Sequence, residues 1–164
     1  MSVLHSKKIV LLGHFGVGKT SLIRRFVDNV FSKDYKVTIG VHVYKKDVRV
    51  LENETVSLII WDLEGADDIN KTRMSYLLGT HAIIYVFDLS RPLTYKDLNK
   101  EVAFLDKNFP NATVKVVGNK MDLVNKEFIK QNKNIFDDKV DYFTSAKLGS
   151  RVETLFSKLA NELK

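Results

Sequence analysis

One glycine-rich segment, residues 13–20 with the sequence GHFGVGKT, constrains the fold of this 164-residue chain more than any other feature. It fits the pattern G-x-x-x-x-G-K-[ST]. An apolar run at residues 9–12 precedes it, and Leu22, Ile23 and Phe26 follow at helical spacing. Glycines permit a tight turn whose backbone N–H groups face one concavity at the positive end of a helix. The segment therefore predicts a phosphate-binding loop between a strand and a helix.

The rest of the chain alternates short apolar runs with amphipathic helical patterns, which predicts an α/β fold. Four valines in a polar stretch indicate an edge strand: Val41, Val43, Val48 and Val50. A closing helix carries five apolar residues on one face: Val152, Leu155, Phe156, Leu159 and Leu163. Further strands are predicted at residues 56–61, 82–87, 114–117 and 140–143. We expect a mostly parallel sheet with helices on both faces, in a single domain spanning residues 1–164. Ligands of such sheets bind beyond the carboxyl ends of the strands.

Composition excludes several classes of function. The chain has no Cys, which rules out disulfides, Cys-based zinc sites, catalytic thiols and Cys-linked lipid anchors. No apolar run reaches the roughly 18 residues of a membrane helix, and the N-terminus lacks the features of a signal peptide, so we expect a cytoplasmic protein. The net charge is +6, but Lys and Arg are interspersed with acidic residues. We therefore predict no nucleic-acid partner.

A second motif, Asn119-Lys120-Met121-Asp122, follows the predicted strand at residues 114–117. A carboxylate accepts two adjacent donors, and guanine offers such a pair whereas adenine does not, so Asp122 suits guanine selection. Asn119 can tie neighbouring loops together, and Lys120 can lay its alkyl stem across the base. Backbone N–H groups at residues 145–147 can serve the guanine O6. Within the phosphate loop, Lys19 can neutralise the β- and γ-phosphates and Thr20 can ligate Mg²⁺.

Taken together, these residues resemble the small GTPases of the Ras superfamily, nearest the Rab branch, over essentially the whole chain. With no long tail after the closing helix, the chain is also similar to the Ras/Rab-like GTPases of prokaryotes. The resemblance implies a P-loop small G domain, with five parallel strands, one antiparallel strand and five flanking helices. It further implies GTP or GDP and Mg²⁺ as ligands, and a GTP-dependent switch in two loops.

The resemblance assigns roles to residues in these two loops. Thr38 would coordinate Mg²⁺ and bond the γ-phosphate, and Asp62 would hold Mg²⁺ through water. The Gly65 N–H would bond the γ-phosphate, Phe31 would pack edge-on against guanine, and Tyr35 would close over the phosphates. Taken one at a time, Thr38 also fits a plain strand residue, Asp62 a strand-end cap and Phe31 a core aromatic.

The predicted site is therefore extensive. Lys19, Thr38 and Gly65 are the predicted catalytic residues, with Glu64 as a further candidate, and Thr20, Thr38 and Asp62 are the predicted metal site. The predicted nucleotide-binding residues are Gly13, His14, Phe15, Gly16, Val17, Gly18, Lys19, Thr20, Ser21, Phe31, Tyr35, Thr38, Gly65, Asn119, Lys120, Asp122, Ser145, Ala146 and Lys147. His14 also fits an exposed bystander.

Three residues depart from the family pattern. Ala66 stands where the family usually has a Gln that orients the attacking water, so hydrolysis should be slow. Phe15 stands at a loop position that is usually small, and its ring would crowd the space into which an activating arginine reaches. Glu64 places a carboxylate near the γ-phosphate, where it would either repel the nucleotide or position the water.

We predict a monomeric, Mg²⁺-dependent guanine-nucleotide switch that slowly hydrolyses GTP to GDP and phosphate and presents its switch loops to protein partners. The alternative is a hydrolysis-deficient module that stays bound to GTP. A further alternative is another P-loop enzyme, an ATPase or a kinase. Because the chain has no Cys, we expect no direct lipid anchor.

Overall fold

The computed structural model describes residues 3–34, 36–66 and 68–164, and this part of the chain contains six strands and five α-helices. The strands are β1 (Val3–Leu12), β2 (Val41–Leu51), β3 (Glu54–Leu63), β4 (Ala82–Asp88), β5 (Thr113–Asn119) and β6 (Tyr142–Phe143). The helices are α1 (Lys19–Asp28), α2 (Leu98–Asn108), α3 (Lys126–Gln131), α4 (Lys133–Phe136) and α5 (Val152–Leu163). Short 3₁₀ turns lie at Ile69–Lys71, Met74–Leu77, Pro92–Thr94 and Met121–Leu123.

All six strands form one sheet in the order β2-β3-β1-β4-β5-β6. β2 pairs with β3 in antiparallel orientation, and every other neighbouring pair is parallel. This confirms the predicted mostly parallel sheet with one antiparallel edge strand. It also brings the carboxyl ends of β1, β3, β4, β5 and β6 to one edge of the sheet.

Helices cover both faces of the sheet, as predicted. Side chains alternate along a strand, so Ile9 and Leu11 face one core while Val10 and Leu12 face the other. The first core is closed by α1 and α5, where Phe26 stacks on Phe156 with ring centroids 4.3 Å apart. The second core is closed by α2, α4 and the 3₁₀ turns after β3. No described helix combines the length and apolar character needed to cross a membrane.

Several predicted strand boundaries differ from the observed ones, and two of these differences have a clear structural reason. β1 begins at Val3 instead of residue 9, because its polar first half pairs with β3 from Val3 opposite Glu54 onward. β6 is shorter than the predicted 140–143 and holds only Tyr142 and Phe143. The Asp141 carboxylate accepts the Val116 N–H at 2.7 Å, so a side chain replaces a ladder bond there.

Candidate functional site

A cavity of about 490 Å³ opens at the carboxyl ends of the parallel strands. It collects residues from the phosphate loop, the segment before β2, the end of β3 and the loops after β5 and β6. Of the predicted site residues, its lining includes Phe15, Gly16, Gly18, Lys19, Thr20, Ser21, Phe31, Thr38, Gly65, Asn119, Lys120, Asp122, Ala146 and Lys147. Motifs more than a hundred residues apart in sequence therefore share one cavity.

The phosphate loop is held by its own lysine. Lys19 Nζ donates to the carbonyl oxygens of Gly13 at 3.1 Å and His14 at 3.0 Å, and the side chain is almost fully buried. Burial lowers the pKa of Lys19 to about 8; the nearby Asp62 carboxylate opposes this shift and the Arg91 charge adds to it. An anionic phosphate beside Lys19 would favour the charged ammonium.

Gly18 occupies a position where a side chain does not fit. Its φ is +101°, in the left-handed region, and a Cβ there would lie 2.3 Å from Asn119 Nδ2. Asn119 in turn donates to the Val17 carbonyl at 3.0 Å. The close approach of the loop to Asn119 therefore depends on glycine at this position.

Three predicted metal ligands meet beside the loop. Thr20 Oγ1 donates to Asp62 Oδ2 at 2.6 Å and lies 2.9 Å from Thr38 Oγ1. Burial, partly offset by hydrogen bonds and by Lys19, raises the pKa of Asp62. Asp62 Oδ1 is buried and has no hydrogen-bond partner among the described residues. An unpartnered carboxylate oxygen beside two hydroxyls is a donor set that suits a hard divalent cation.

The loops after β5 and β6 are joined at the other end of the predicted site. Asn119 Oδ1 accepts the Thr144 hydroxyl at 3.0 Å and the Ala146 N–H at 3.3 Å. Asp122 Oδ1 accepts the Ser145 hydroxyl at 2.7 Å. Asp122 is half-buried and lines the cavity, so its carboxylate is in place to accept donors from a base.

Gly65 packs directly on the phosphate loop. A Cβ at Gly65 would lie 2.7 Å from Phe15 N, and the next residue, Ala66, donates its N–H to the Gly13 carbonyl at 3.2 Å. Glu64 N donates to the Gly40 carbonyl at 2.8 Å, which links this segment to the start of β2. Glu64 and Ala66 line a second cavity, which shares Phe15, Leu63 and Gly65 with the first.

A few predicted residues are placed differently. Five predicted residues lie outside the cavity lining, although each bonds a residue within it: Gly13, His14, Val17, Asp62 and Ser145. The Phe31 side chain is 37% exposed at the cavity, so the alternative of a core aromatic is wrong. Tyr35 lies outside the described residues.

Several supporting residues were not predicted. Arg25 donates to the carbonyls of Ala146 at 2.8 Å and Lys147 at 2.6 Å, and thereby fixes the loop after β6. Asp88 is the last residue of β4 and Arg91 lies in the turn that follows. Arg91 bonds the phosphate loop, and Asp88 bonds Arg91 and Lys120. The rule that ligands bind beyond strand ends could have found Asp88, because β4 ends there. The cavity lining also contains three further cations, Arg24, Lys33 and Lys36.

Comparison with known proteins identifies the family. A sequence model of the Ras family matches residues 8–164. The chain belongs to the Ras family. The Ras-related protein Rab-1A of Dictyostelium discoideum is 35% identical over 162 residues, covering 96% of this chain and 80% of that protein. Rab-1 of Theileria annulata is 34% identical over 163 residues, covering 96% and 74%. The GTP-binding protein YPT1 of Saccharomyces cerevisiae is 35% identical over 167 residues, covering 96% and 78%.

Membership of the Ras family confirms the predicted resemblance to a Rab-like small GTPase. Guanine-nucleotide binding, GTPase activity and partner-regulated switching are general to this family. The six-stranded sheet with one antiparallel strand also agrees with a Ras-like small G domain.

Proposed function

We propose that this single-domain protein is a Mg²⁺-dependent guanine-nucleotide switch that slowly hydrolyses GTP to GDP and phosphate. One observation carries the proposal. The same cavity is lined by Asp122, which suits a guanine, and by Thr20 and Thr38, which meet Asp62. A ligand that uses both groups must carry a base and a phosphate chain, and Lys19 lines the same cavity.

The residues near Asp62 are the proposed magnesium site. Thr20 and Thr38 would ligate the ion through their hydroxyls, and Asp62 would hold it through water. When bound, Mg²⁺ neutralises charge on the phosphates. The unpartnered Asp62 Oδ1 supports this assignment, since a buried carboxylate oxygen is unfavourable without a donor or a cation.

Two segments are the proposed switch loops. Thr38 comes from the segment before β2 and Gly65 from the segment after β3, and both line the cavity. With Lys19 they are the proposed catalytic residues, because each can contact the γ-phosphate that only GTP supplies. Loss of that phosphate removes the contacts that hold the two loops, which changes the surface that partners bind.

The proposed slow rate depends on Ala66. A methyl group neither donates nor accepts a hydrogen bond, so it cannot orient an attacking water. The Ala66 backbone lies beside the phosphate loop, as its 3.2 Å bond to the Gly13 carbonyl shows. A longer polar side chain would therefore start close to the phosphate site.

The test compares GTP hydrolysis in the wild type with that in Ala66→Gln, measured as phosphate release in a single turnover. We expect Gln to raise the rate on the order of tenfold to a hundredfold. Ala66→Met is the matched control, because Met has nearly the size of Gln but has no hydrogen-bond donor and is only a weak acceptor. Equal rates in wild type and Ala66→Gln would refute the role of Ala66. A wild type that binds ATP as tightly as GTP would refute the whole proposal.

A hydrolysis-deficient, GTP-bound interaction module is the second candidate. Its support is the packing of Gly65 against the backbone of Phe15, with a benzyl group 45% exposed at the same place. This packing crowds the side of the loop where a catalytic water or an activating arginine would act. No phosphate release by the wild type over many hours, with GTP still bound, would favour this candidate.

The Glu64 carboxylate has its own test. Glu64 lines the second cavity and is exposed. If it positions the water, Glu64→Ala should slow hydrolysis more than Glu64→Gln, because Gln keeps a group that bonds water, while an unchanged rate in Glu64→Ala removes Glu64 from the reaction. If it repels nucleotide, both variants should bind GTP more tightly.

We also propose that the protein is cytoplasmic and monomeric and that it binds no nucleic acid.

A further inference from the structure

The turn after β4 is built around one buried carboxylate. Asp88 is 1% exposed, and its Oδ1 accepts both the backbone N–H of Ser90 at 2.9 Å and the Ser90 hydroxyl at 2.6 Å. The Thr94 hydroxyl closes the same turn, since it accepts the Asp88 N–H at 2.9 Å and bonds the Arg91 carbonyl at 2.8 Å. Asp88 is therefore a fixed anion at the edge of the site.

The other oxygen of this carboxylate holds two cations. Asp88 Oδ2 lies 3.0 Å from Arg91 Nε and 2.9 Å from Lys120 Nζ. Burial alone would raise the pKa of Asp88, but the Ser90 and Lys120 hydrogen bonds and the Lys120 charge outweigh it and lower the pKa. The carboxylate is thus charged at neutral pH and can orient both cations.

Each of these cations reaches on to the phosphate loop. Arg91 Nη2 donates to the Phe15 carbonyl at 2.5 Å, and Lys120 Nζ donates to the Gly16 carbonyl at 2.8 Å. The neighbouring carbonyls are held too, those of Gly13 and His14 by Lys19 and that of Val17 by Asn119. Five consecutive carbonyls, at residues 13–17, therefore accept hydrogen bonds from side chains. Lys19, Lys120 and Asn119 belong to the sequence motifs, whereas Arg91 belongs to none.

The orientation of a carbonyl sets the orientation of an N–H. In a planar trans peptide the C=O and N–H bonds point in opposite directions. Arg91 is outside the cavity lining and holds the Phe15 carbonyl, so the N–H of Gly16 is turned away from Arg91. Gly16 itself lines the cavity. An N–H fixed in this way is a preorganised donor for a phosphate.

We propose that Arg91, anchored by Asp88, is a positioning residue that orients the phosphate loop and thereby contributes to phosphate binding. The proposal rests on the guanine-nucleotide function proposed above. Arg91 acts on the ligand through the Phe15–Gly16 peptide, so its contribution should require phosphates on the nucleotide. It should also require the guanidinium fork, because one nitrogen bonds Asp88 while another bonds the Phe15 carbonyl.

A contribution from charge alone is the competing explanation. The Arg91 charge is near enough to Lys19 to lower its pKa, so it could also attract phosphates without any effect on the loop. Arg91→Lys separates the two, because it keeps the charge and loses the fork. Arg91→Ala removes both, and Lys96→Ala is the control for loss of an exposed positive charge from the same segment.

The experiment measures dissociation constants of GMP, GDP and GTP by competition with a fluorescent GDP analogue, for wild type and the three variants. We expect Arg91→Ala and Arg91→Lys to weaken GDP and GTP binding by roughly tenfold to a hundredfold, in line with loss of one well-oriented charge-assisted hydrogen bond. GMP binding should change much less, and Lys96→Ala should match the wild type. Asp88→Asn should weaken GDP binding in the same direction as Arg91→Lys.

Three outcomes would overturn this proposal. Wild-type affinity in Arg91→Lys would show that charge alone matters. An equal loss for GMP and GDP would indicate a general structural defect, which melting curves of the variants with bound nucleotide would also reveal. Unchanged GDP binding in Arg91→Ala would remove Arg91 from the site. Failure of the proposed function is distinguishable, because the wild type would then show no preference for guanine nucleotides.

Discussion

Glu101 gives this protein a pH-dependent stability that one substitution should remove. Glu101 lies in α2, is 7% exposed, and accepts a hydrogen bond from the hydroxyl of Tyr85 in β4. Burial, together with the negative charge of Asp68 in the segment after β3, raises the pKa of Glu101 to about 7. The folded protein therefore favours the neutral acid, whereas the unfolded chain titrates near the ordinary value of 4.5.

The raised pKa of Glu101 sets both the size and the sign of the change in the free energy of unfolding with pH. A pKa that rises from 4.5 to about 7 corresponds to about 3 kcal/mol of the free energy of unfolding. Because the folded-state pKa is the higher one, this stability is fully present below about pH 4.5 and is lost as the pH rises through 7. Glu101→Gln is neutral at every pH and still offers an acceptor to Tyr85, so this part of the pH dependence should disappear.

The assay is urea unfolding of wild type and Glu101→Gln in constant excess GDP and Mg²⁺, from about pH 5 to pH 8. The free energy of unfolding of the variant minus that of the wild type should increase with pH by about 2 to 3 kcal/mol. Titration of GDP itself cancels in this difference. Glu52→Gln, an exposed acid in the turn between β2 and β3, should give a flat difference. A flat difference for Glu101→Gln as well would refute the reasoning.

Two further predictions concern the nucleotide site. Asp122→Asn should shift binding from GTP toward xanthosine triphosphate, because an amide donates where the xanthine carbonyl accepts. Competition binding of the two nucleotides measures this shift. An unchanged preference for GTP would show that Asp122 does not select the base. Gly18→Ala should weaken GDP binding by at least about tenfold, since its Cβ would meet Asn119 Nδ2. Gly79→Ala is the control, because Gly79 also has a positive φ of +68° but has nothing within 4 Å of the added Cβ. This control should only lower the melting temperature. Equal GDP binding in both glycine variants would contradict this.

Much of the fold could be predicted because burial leaves a periodic signal in the sequence. β4 is buried at all seven of its positions, and its continuous apolar run indicated a central strand. The first half of β1 gave no such signal, because residues 4–8 are exposed or half-buried and their pairing with β3 is made by the backbone. β6 was predicted too long because apolarity does not reveal that the Asp141 side chain replaces a ladder bond.

The site was predictable wherever one residue type is needed at a fixed spacing. The phosphate loop and the motif at residues 119–122 met this condition, and the structure brings both to one cavity. Arg25 did not, because it bonds the carbonyls of residues 146 and 147 from a helix more than a hundred residues away. An arginine on an amphipathic helix is indistinguishable in sequence from a solvated one.

The same reasoning explains why the motif of the phosphate loop is not sufficient to build the loop. If the loop directs its N–H groups to a ligand, the carbonyls of the same peptides point away from that ligand and can accept hydrogen bonds from other groups. Lys19 lies within the motif and holds two of the carbonyls. The remaining three are held by Arg91, Lys120 and Asn119, from the ends of β4 and β5. The parallel sheet thus contributes to the shape of the loop, since the aligned ends of β4 and β5 bring these three donors to it.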